Sequence, residues 1–436
     1  MNRKEFLDEL GRRLSGMDPV QVAEILEDFS GHFEAAGRQG KSDRDVCESL
    51  GDPADIAAQF MEDRDGDYAG VVPARRENGD GMNRADSDRS NGRTDYTDMH
   101  YEFDAGTISK IRTDLHACNL QIRSAKVQKV LCDVRGVSSS RFFVGEREGA
   151  LTVEEEPPAR KWLSWILGRK NKADVIITLP SPNERVAVDS LVRFGEVTVS
   201  NTSFSEAFFK MSAGNFNSDG CNYGEFRLES SAGNADVKGC RGDSFHIKCS
   251  AGNVTVEESK GELNARSSAG NVKALQHTGR LSCSSSAGNV TISSLDGDIT
   301  GHSQAGNVSV KTVRGSVEAK STAGNVKITG EQVYGMKAES SAGTTEASAD
   351  SFEGDVRISS GAGDVKLTAR RITGNIEAHS GIGSVRIILP ADADFNIRAK
   401  SGMGKVNSEI KSNANSARTL SADSSMGNVS IKASRD

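Results

Sequence analysis

A tripeptide, Ala-Gly-Asn or a close variant, recurs through the second half of the chain and sets a glycine at positions 195, 214, 233, 252, 270, 288, 306, 324, 343, 363, 383, 404 and 427. The steps are 18 to 19 residues as far as Gly343 and widen to 23 at the end. An interval this short cannot hold a pair of helices and a strand, but it suits one coil of a β-solenoid. Two residues after the glycine stand Phe216, Ala235, Val254, Val272, Val290, Val308, Val326, Val365, Val385, Val406 and Val429, and four after it Val237, Val256, Ile292, Val310, Ile328, Leu367 and Ile387. The positions between are mostly Thr, Ser, Lys or Arg, so one face of this strand points in and the other out. A second strand precedes each glycine, with Phe226, Phe245, Leu263, Leu281, Ile299, Val317, Met336, Val356, Ile376 and Ile397 seven residues before it. Three residues before it come Ser230, Cys249, Ser267, Ser285, Ser303, Ser321 and Ser340. A second glycine recurs near mid-interval at 242, 261, 279, 297, 315, 335, 354 and 374. The spacing therefore predicts a mainly β protein, a flattened parallel β-solenoid (β-helix) with two strands and two glycine turns per coil of about 18–20 residues.

Gly214, Gly233, Gly252, Gly270, Gly288, Gly306, Gly324 and Gly343 are read as structural turn residues. Asn follows in seven consecutive coils, at Asn215, Asn234, Asn253, Asn271, Asn289, Asn307 and Asn325. Coils stack at about 4.8 Å, a spacing at which equivalent amides can bond along the axis as an Asn ladder. The reading is structural, because the calcium-binding β-roll needs a shorter repeat rich in Asp. Arg241-Gly242-Asp243 occupies the turn that holds Lys260-Gly261-Glu262 and Arg314-Gly315-Ser316 in other coils, and is read as a turn.

Residues 1–63 differ in kind. They hold 7 Lys/Arg against 15 Asp/Glu, a net of −8 in a chain of net −7. Phe6, Leu7, Leu10 and Leu14, then Val22, Ile25, Leu26, Phe29 and Phe33, recur at helical spacing. Asp18-Pro19 and Asp52-Pro53 supply an N-cap acceptor followed by proline at the first helical position, and Ser42 with Asp45 caps a third short helix. The expectation is a small α-helical bundle too acidic to bind nucleic acid directly. Residues 64–100, rich in Asp, Arg, Asn and Gly, read as a flexible linker. Residues 101–194 read as degenerate first coils with a strand-rich capping excursion, since Ala117-Cys118-Asn119-Leu120-Gln121-Ile122 repeats the motif with Cys118 in the glycine's place. Regular repeats fill 195–436.

The elements Glu24-Ile25-Leu26-Glu27-Asp28-Phe29, His32-Phe33, Gly40-Lys41-Ser42 and Leu50-Gly51-Asp52-Pro53 resemble the HAAS-type helical domain of bacterial signalling and membrane proteins. That resemblance implies a docking role, with a PadR-type transcriptional regulator or a membrane protein as the partner. From about residue 101 onward the chain resembles the bacterial "putative adhesin" family of β-strand-repeat proteins, a domain of unknown function. The residues that carry it are Ile177-Thr178-Leu179-Pro180, Phe194-Gly195-Glu196-Val197 and the reiterated Ser-Ala-Gly-Asn-Val units. It implies a fold and no activity.

Chemistry has little purchase in this sequence. The seven His never fall at metal-ligand spacing, the seven Cys form no C-x-x-C pair, and neither a nucleophile elbow nor a phosphate loop occurs. The protein is expected to be no enzyme and to need no cofactor. Both Trp residues lie in one basic segment, where Arg160, Lys161, Trp162, Trp165, Ile166, Leu167, Arg169, Lys170 and Lys172 form a candidate membrane or partner contact. No signal peptide or membrane-spanning run is visible, and the chain is expected to be cytoplasmic, with peripheral membrane contact through the Trp162/Trp165 loop. The function that fits is an interaction scaffold with a helical docking domain. The competing reading is a cytosolic signalling or envelope-stress component acting through a PadR-type regulator.

Overall fold

The computed structural model describes residues 2–15, 97–137, 142–156, 173–181 and 186–434, together with positions 22, 26, 29, 30, 33, 43, 47, 52–54 and 57. The chain forms two compact units, residues 1–95 with 157–171, and residues 96–156 with 172–436. In the first, helix Arg3–Arg13 starts at a capping box: the Asn2 side chain accepts from the Glu5 amide and the Glu5 carboxylate accepts from the Asn2 amide. Val22, Leu26, Phe29 and Phe33 are helical too, as are Asp43, Cys47 and Ala57. Phe6, Leu10, Leu14, Phe29, Phe33, Cys47 and Ala57 form one buried cluster, in which the Phe6 ring lies 5.8 Å from Phe29 and 5.6 Å from Phe33. The Asp52 carboxylate accepts from the Ala54 amide at 2.8 Å and so caps the turn that Pro53 opens. The other capping residues expected here lie outside the described residues.

The second unit is the solenoid. Strand Asn222–Ala232 is followed across Gly233 by Ala235–Lys238, and the next coil repeats the pair as Arg241–Ala251 and Val254–Glu257. Neighbouring coils are parallel and in register, with Phe226 opposite Phe245, Phe245 opposite Leu263 and Leu263 opposite Leu281. Alternation makes each file uniform: Val254, Val272, Val290, Val308, Val326, Val365 and Val385 are all fully buried. A block of aromatic side chains, Phe204, Phe209, Phe216, Tyr223, Phe226 and Phe245, fills the early coils with ring centres 4.7 to 6.2 Å apart. Beyond it the interior is mainly aliphatic, with Phe352 and Phe395 as buried aromatic exceptions.

The turn glycines answer to two demands. Gly214 and Gly233 have φ of 131° and 124°, where glycine alone is at ease. Gly270, Gly288, Gly306 and Gly324 are outside that region, and their constraint is contact: a Cβ there would meet the carbonyl oxygen of the preceding turn glycine at 2.0 to 2.3 Å. The motif at Cys118 joins the same stack, because a Cβ on Gly195 would lie 1.8 Å from the Cys118 oxygen.

Coils do not stack in chain order at the two ends. Near the start, Lys110–Leu115 lies between Ala150–Glu155 and Val186–Phe194, and Cys118–Ala125 lies between Ala173–Pro180 and Val197–Ser200. Antiparallel strands close that end, with Lys129–Val137 against Ala173–Pro180, Thr97–Asp104 against Lys129–Val137, and Phe142–Arg147 against Ala150–Glu155. Strand Thr97–Asp104 begins inside the expected linker, because Met99, Tyr101 and Phe103 alternate inward against the core. At the far end, Thr419–Met426 inserts between Ile376–Ile382 and Asn396–Ser401, so the coil of Gly404 is outermost and that of Gly427 lies beneath it.

Candidate functional site

The corner where the two strands of a coil meet combines three ladders. Inside it, the hydroxyls of Ser267, Ser285, Ser303, Ser321, Ser340, Ser360 and Ser380 each donate to the carbonyl of the turn glycine one coil back, at 2.7 to 2.9 Å. These hydroxyls are buried, and the bond satisfies both partners away from water. The glycines stack in the middle. On the outside, the side-chain oxygen of each Asn accepts the main-chain N–H of the next, from Asn234 on Asn215 through Asn325 on Asn307 and on to Thr344, at 2.8 to 3.1 Å. Asn234, Asn253, Asn271 and Asn289 also donate their side-chain amides to the preceding Asn at 3.2 to 3.4 Å. The main-chain bonds are the shorter set. Every amide oxygen is thus turned along the axis rather than toward a ligand.

All seven cysteines are buried and free. Burial pushes the thiols of Cys132 and Cys283 up to about 12 and that of Cys249 up to about 11, so they keep their protons. In the stacked pair Cys221 and Cys240, the shared hydrogen bond pulls Cys221 down to about 6, and the same bond and then burial raise Cys240. His277 is buried, with Nδ1 2.9 Å from the Ser259 hydroxyl and Nε2 donating to the Gly261 carbonyl at 3.0 Å; burial lowers its pKa and holds the ring neutral. Among the described residues no group of three His, Cys, Asp or Glu side chains is placed to hold a metal ion.

Opportunity lies on the outer wall. A shallow notch of about 440 Å³ is lined by Asp298, Ser316, Glu318, Gly335, Lys337, Asp355 and Arg357. It arises where the register shifts: Gly315 pairs with Val333 and Ser316 with Gly335, so Tyr334 is left as an extra residue between them. A Cβ on Gly335 would meet nothing within 4 Å, unlike those on Gly315 and Gly354. Each charged group on the rim that has a resolved partner is tied up in the wall. Lys337 pairs with Glu318 at 3.3 Å and Glu339 at 3.4 Å, Arg357 pairs with Glu377 at 3.3 Å, and Asp355 accepts from the Asn375 amide at 2.9 Å. Apart from Lys337 with Glu339 in one strand, these are coil-to-coil pairs, not a buried acid facing a base.

The tryptophan segment, with Arg160, Lys161, Trp162, Trp165, Ile166, Leu167, Arg169, Lys170 and Lys172, lies outside the described residues. Two features were missed in the sequence. Tyr334 stands half-exposed where the register shifts, and Ile382, Met403 and Met426 are exposed at the last three corners. Their signal was present, since these three replace the Ala of the Ala-Gly step. No helix among the described residues is long and apolar enough to cross a membrane.

A family model described as Toastrack DUF4097 matches residues 108–299 and 280–436, and one described as HAAS matches residues 5–59. Three solved structures are similar in part. A "putative cell adhesion protein" from Clostridium sporogenes is 10% identical, with 78% of this chain and 100% of that chain covered and a TM-score of 0.19. For a "putative adhesin" from Bacteroides fragilis the figures are 12%, 78%, 97% and 0.21. For a "putative lipid binding protein" from Parabacteroides distasonis they are 9%, 67%, 97% and 0.24. No curated protein matches the chain.

Proposed function

Because its two matches together span residues 108–436, this chain belongs to the Toastrack DUF4097 family, and we propose that it works as a non-enzymatic interaction scaffold with a HAAS docking domain at residues 5–59. The observation that carries the reading is the unbroken burial of one file, from Val197 through Val254, Val308 and Val365 to Val429. The interior is given over to holding coils together, and burial keeps the Cys132 and Cys283 thiols and the His277 ring in their neutral forms. What remains for other molecules is a long wall whose charged side chains are set by cross-coil pairs such as Lys320 with Glu339 and Lys327 with Glu346. A rigid, repeating surface of this kind suits macromolecular partners better than a small substrate.

The acidic helical domain is the second contact, and its partner is a protein. The HAAS match favours a further reading, in which a PadR-type regulator is that partner and the protein is a cytoplasmic signalling or envelope-stress component. The tryptophan segment is assigned a peripheral membrane or partner contact on its composition.

Tagged full-length chain, cross-linked in native cells and compared with a chain lacking residues 1–63, tests this. Several macromolecular partners are expected, a subset of them lost with the deletion. A single PadR-type regulator lost on deletion supports the signalling reading, and capture of nothing by either chain overturns the scaffold. Co-sedimentation with anionic vesicles that is unchanged by W162A/W165A removes the membrane contact.

A further inference from the structure

The outermost coil at the C-terminal end is built like the others and covered like none of them. Val406 occupies the file in which Val385 and Val429 are fully buried, yet it is 45% exposed. In the other strand of that coil, Ile397 and Ala399 are only partly covered, whereas Leu420 and Ala422 beneath them are buried. The return segment satisfies the start of this edge: the Ile397 amide donates to the Ser412 hydroxyl at 2.9 Å and the Asn413 amide to the Phe395 carbonyl at 2.9 Å. Past that point, among the described residues, neither Asn396–Ser401 nor Val406–Ser408 has a strand on its outer side. An open parallel edge with apolar files ending at it is a template for another strand.

The corner residues add an independent sign. Column members Ala213, Ala232, Ala251, Ala269, Ala323, Ala342 and Ala362 are replaced in the last three coils by Ile382, Met426 and Met403, which are 58%, 48% and 70% exposed. The apolar stripe runs along the axis and stops at the open edge.

Charge selects the occupant. Arg398, Lys400, Lys405 and Lys411 are exposed around this edge and have no ion pair among the described residues. Asp423, the register partner of Lys400, is held by His379 at 2.5 Å, and Glu409 accepts from the Ala433 amide. A second copy docking antiparallel through the same edge, with the two-fold axis at Ala399, would set Arg398 opposite Lys400, a like-charge pairing that opposes it. We propose that this end is a strand-addition site for an extended acidic segment of a partner protein, one alternating Asp or Glu with apolar residues. Its apolar side chains cover Ile397, Ala399 and Val406, and its acids meet the four cations. The site is distinct from the docking assigned to the helical domain, and its test leaves that assignment untouched.

Fluorescence anisotropy with the full-length chain decides it, using a labelled octapeptide in which Asp or Glu alternates with Val or Thr, and the same peptide with Lys for each acid. The acidic peptide is expected to bind at least tenfold more tightly than the basic one, R398E/K400E/K405E to reverse that order, and V406K to weaken acidic binding at least tenfold. M403S/M426S, which leaves edge and charge intact, is expected to weaken it severalfold. Circular dichroism confirms that each variant is folded. Equal affinity for the two peptides, or binding indifferent to these substitutions, overturns the proposal. So does a wild-type dimer in sedimentation velocity that V406K abolishes, since a second copy then fills the end.

Discussion

The coils between Val254 and Ile328 and the three coils after Ile376 are made of the same parts under different cover. In the middle, Ser303 bonds to Gly288 inside the corner while Asn307 bonds to Asn289 outside it. At the end, Ser424 still bonds to Gly383 and Ser401 to Gly427, but the residue after the glycine has become Ser384 and Lys405. The buried parts persist because a carbonyl left without a donor in the interior has no water to turn to. The outer amide is exchangeable because it sits at the surface, and any short oxygen serves: Asp364 accepts from the Ser384 amide at 2.8 Å as Asn289 does from Asn307 at 2.9 Å. Burial by a coil on each side, rather than membership of the motif, makes a residue indispensable.

Matched substitutions in the two regions test that statement, and the glycines give the largest effect. A Cβ on Gly306 would lie 2.2 Å from the Gly288 carbonyl, and one on Gly404 would lie 2.2 Å from the Gly427 carbonyl. The clash is equal, but the outermost coil has a neighbour on one side and can lift away. Gly306→Ala is expected to cost about 3 kcal/mol or more in chemical denaturation, and Gly404→Ala less than half of that. Equal losses would mean that the end coil is held as tightly as the middle. Next in size come the valines. Val308→Ala removes two methyl groups from a fully buried site and is expected to cost about 2 kcal/mol, whereas Val406→Ala, at a site nearly half open to water, should cost under about 0.5 kcal/mol. A large loss for Val406→Ala would show that the end is covered in solution.

Much of this was legible before any coordinates. The interior files, the two strands per coil and the stacked corner follow from a side-chain period of two inside a fixed repeat, since only one register buries Val254, Val272 and Val290 together. The order of coils at the ends was not legible. Gly404 and Gly427 head equally good coils, and which lies outermost depends on where residues 390–395 and 409–418 carry the chain, information that no periodicity contains. The serine-to-glycine bond was also hidden. A column of Ser reads as small and semi-polar, and only the stacking of corners brings each hydroxyl to a carbonyl one coil back. Of the candidate sites, the Asn and Gly columns lay in plain view because they repeat. The open end, the notch at Gly335 and Tyr334 escaped because each is a departure from the repeat, where the register shifts or an alanine has become larger.

The serines give the smallest effect and the finest discrimination. Ser303 is fully buried and its hydroxyl lies 2.8 Å from the Gly288 carbonyl, while Ser401 is partly exposed and lies 2.7 Å from the Gly427 carbonyl. The two bonds are alike in length, so any difference in cost must come from what replaces them. Ser303→Ala strands a buried carbonyl and is expected to cost about 1 kcal/mol, but at Ser401→Ala water reaches the carbonyl and the loss should fall to a few tenths. Hydrogen exchange reads this directly. Amides of the coils flanking Ser303 should open about fivefold more readily in S303A, with little change around Ser401 in S401A. If S401A loosens its coil as much as S303A does, cover is not what sets the value of these bonds, and the contrast between middle and end fails at its most local level.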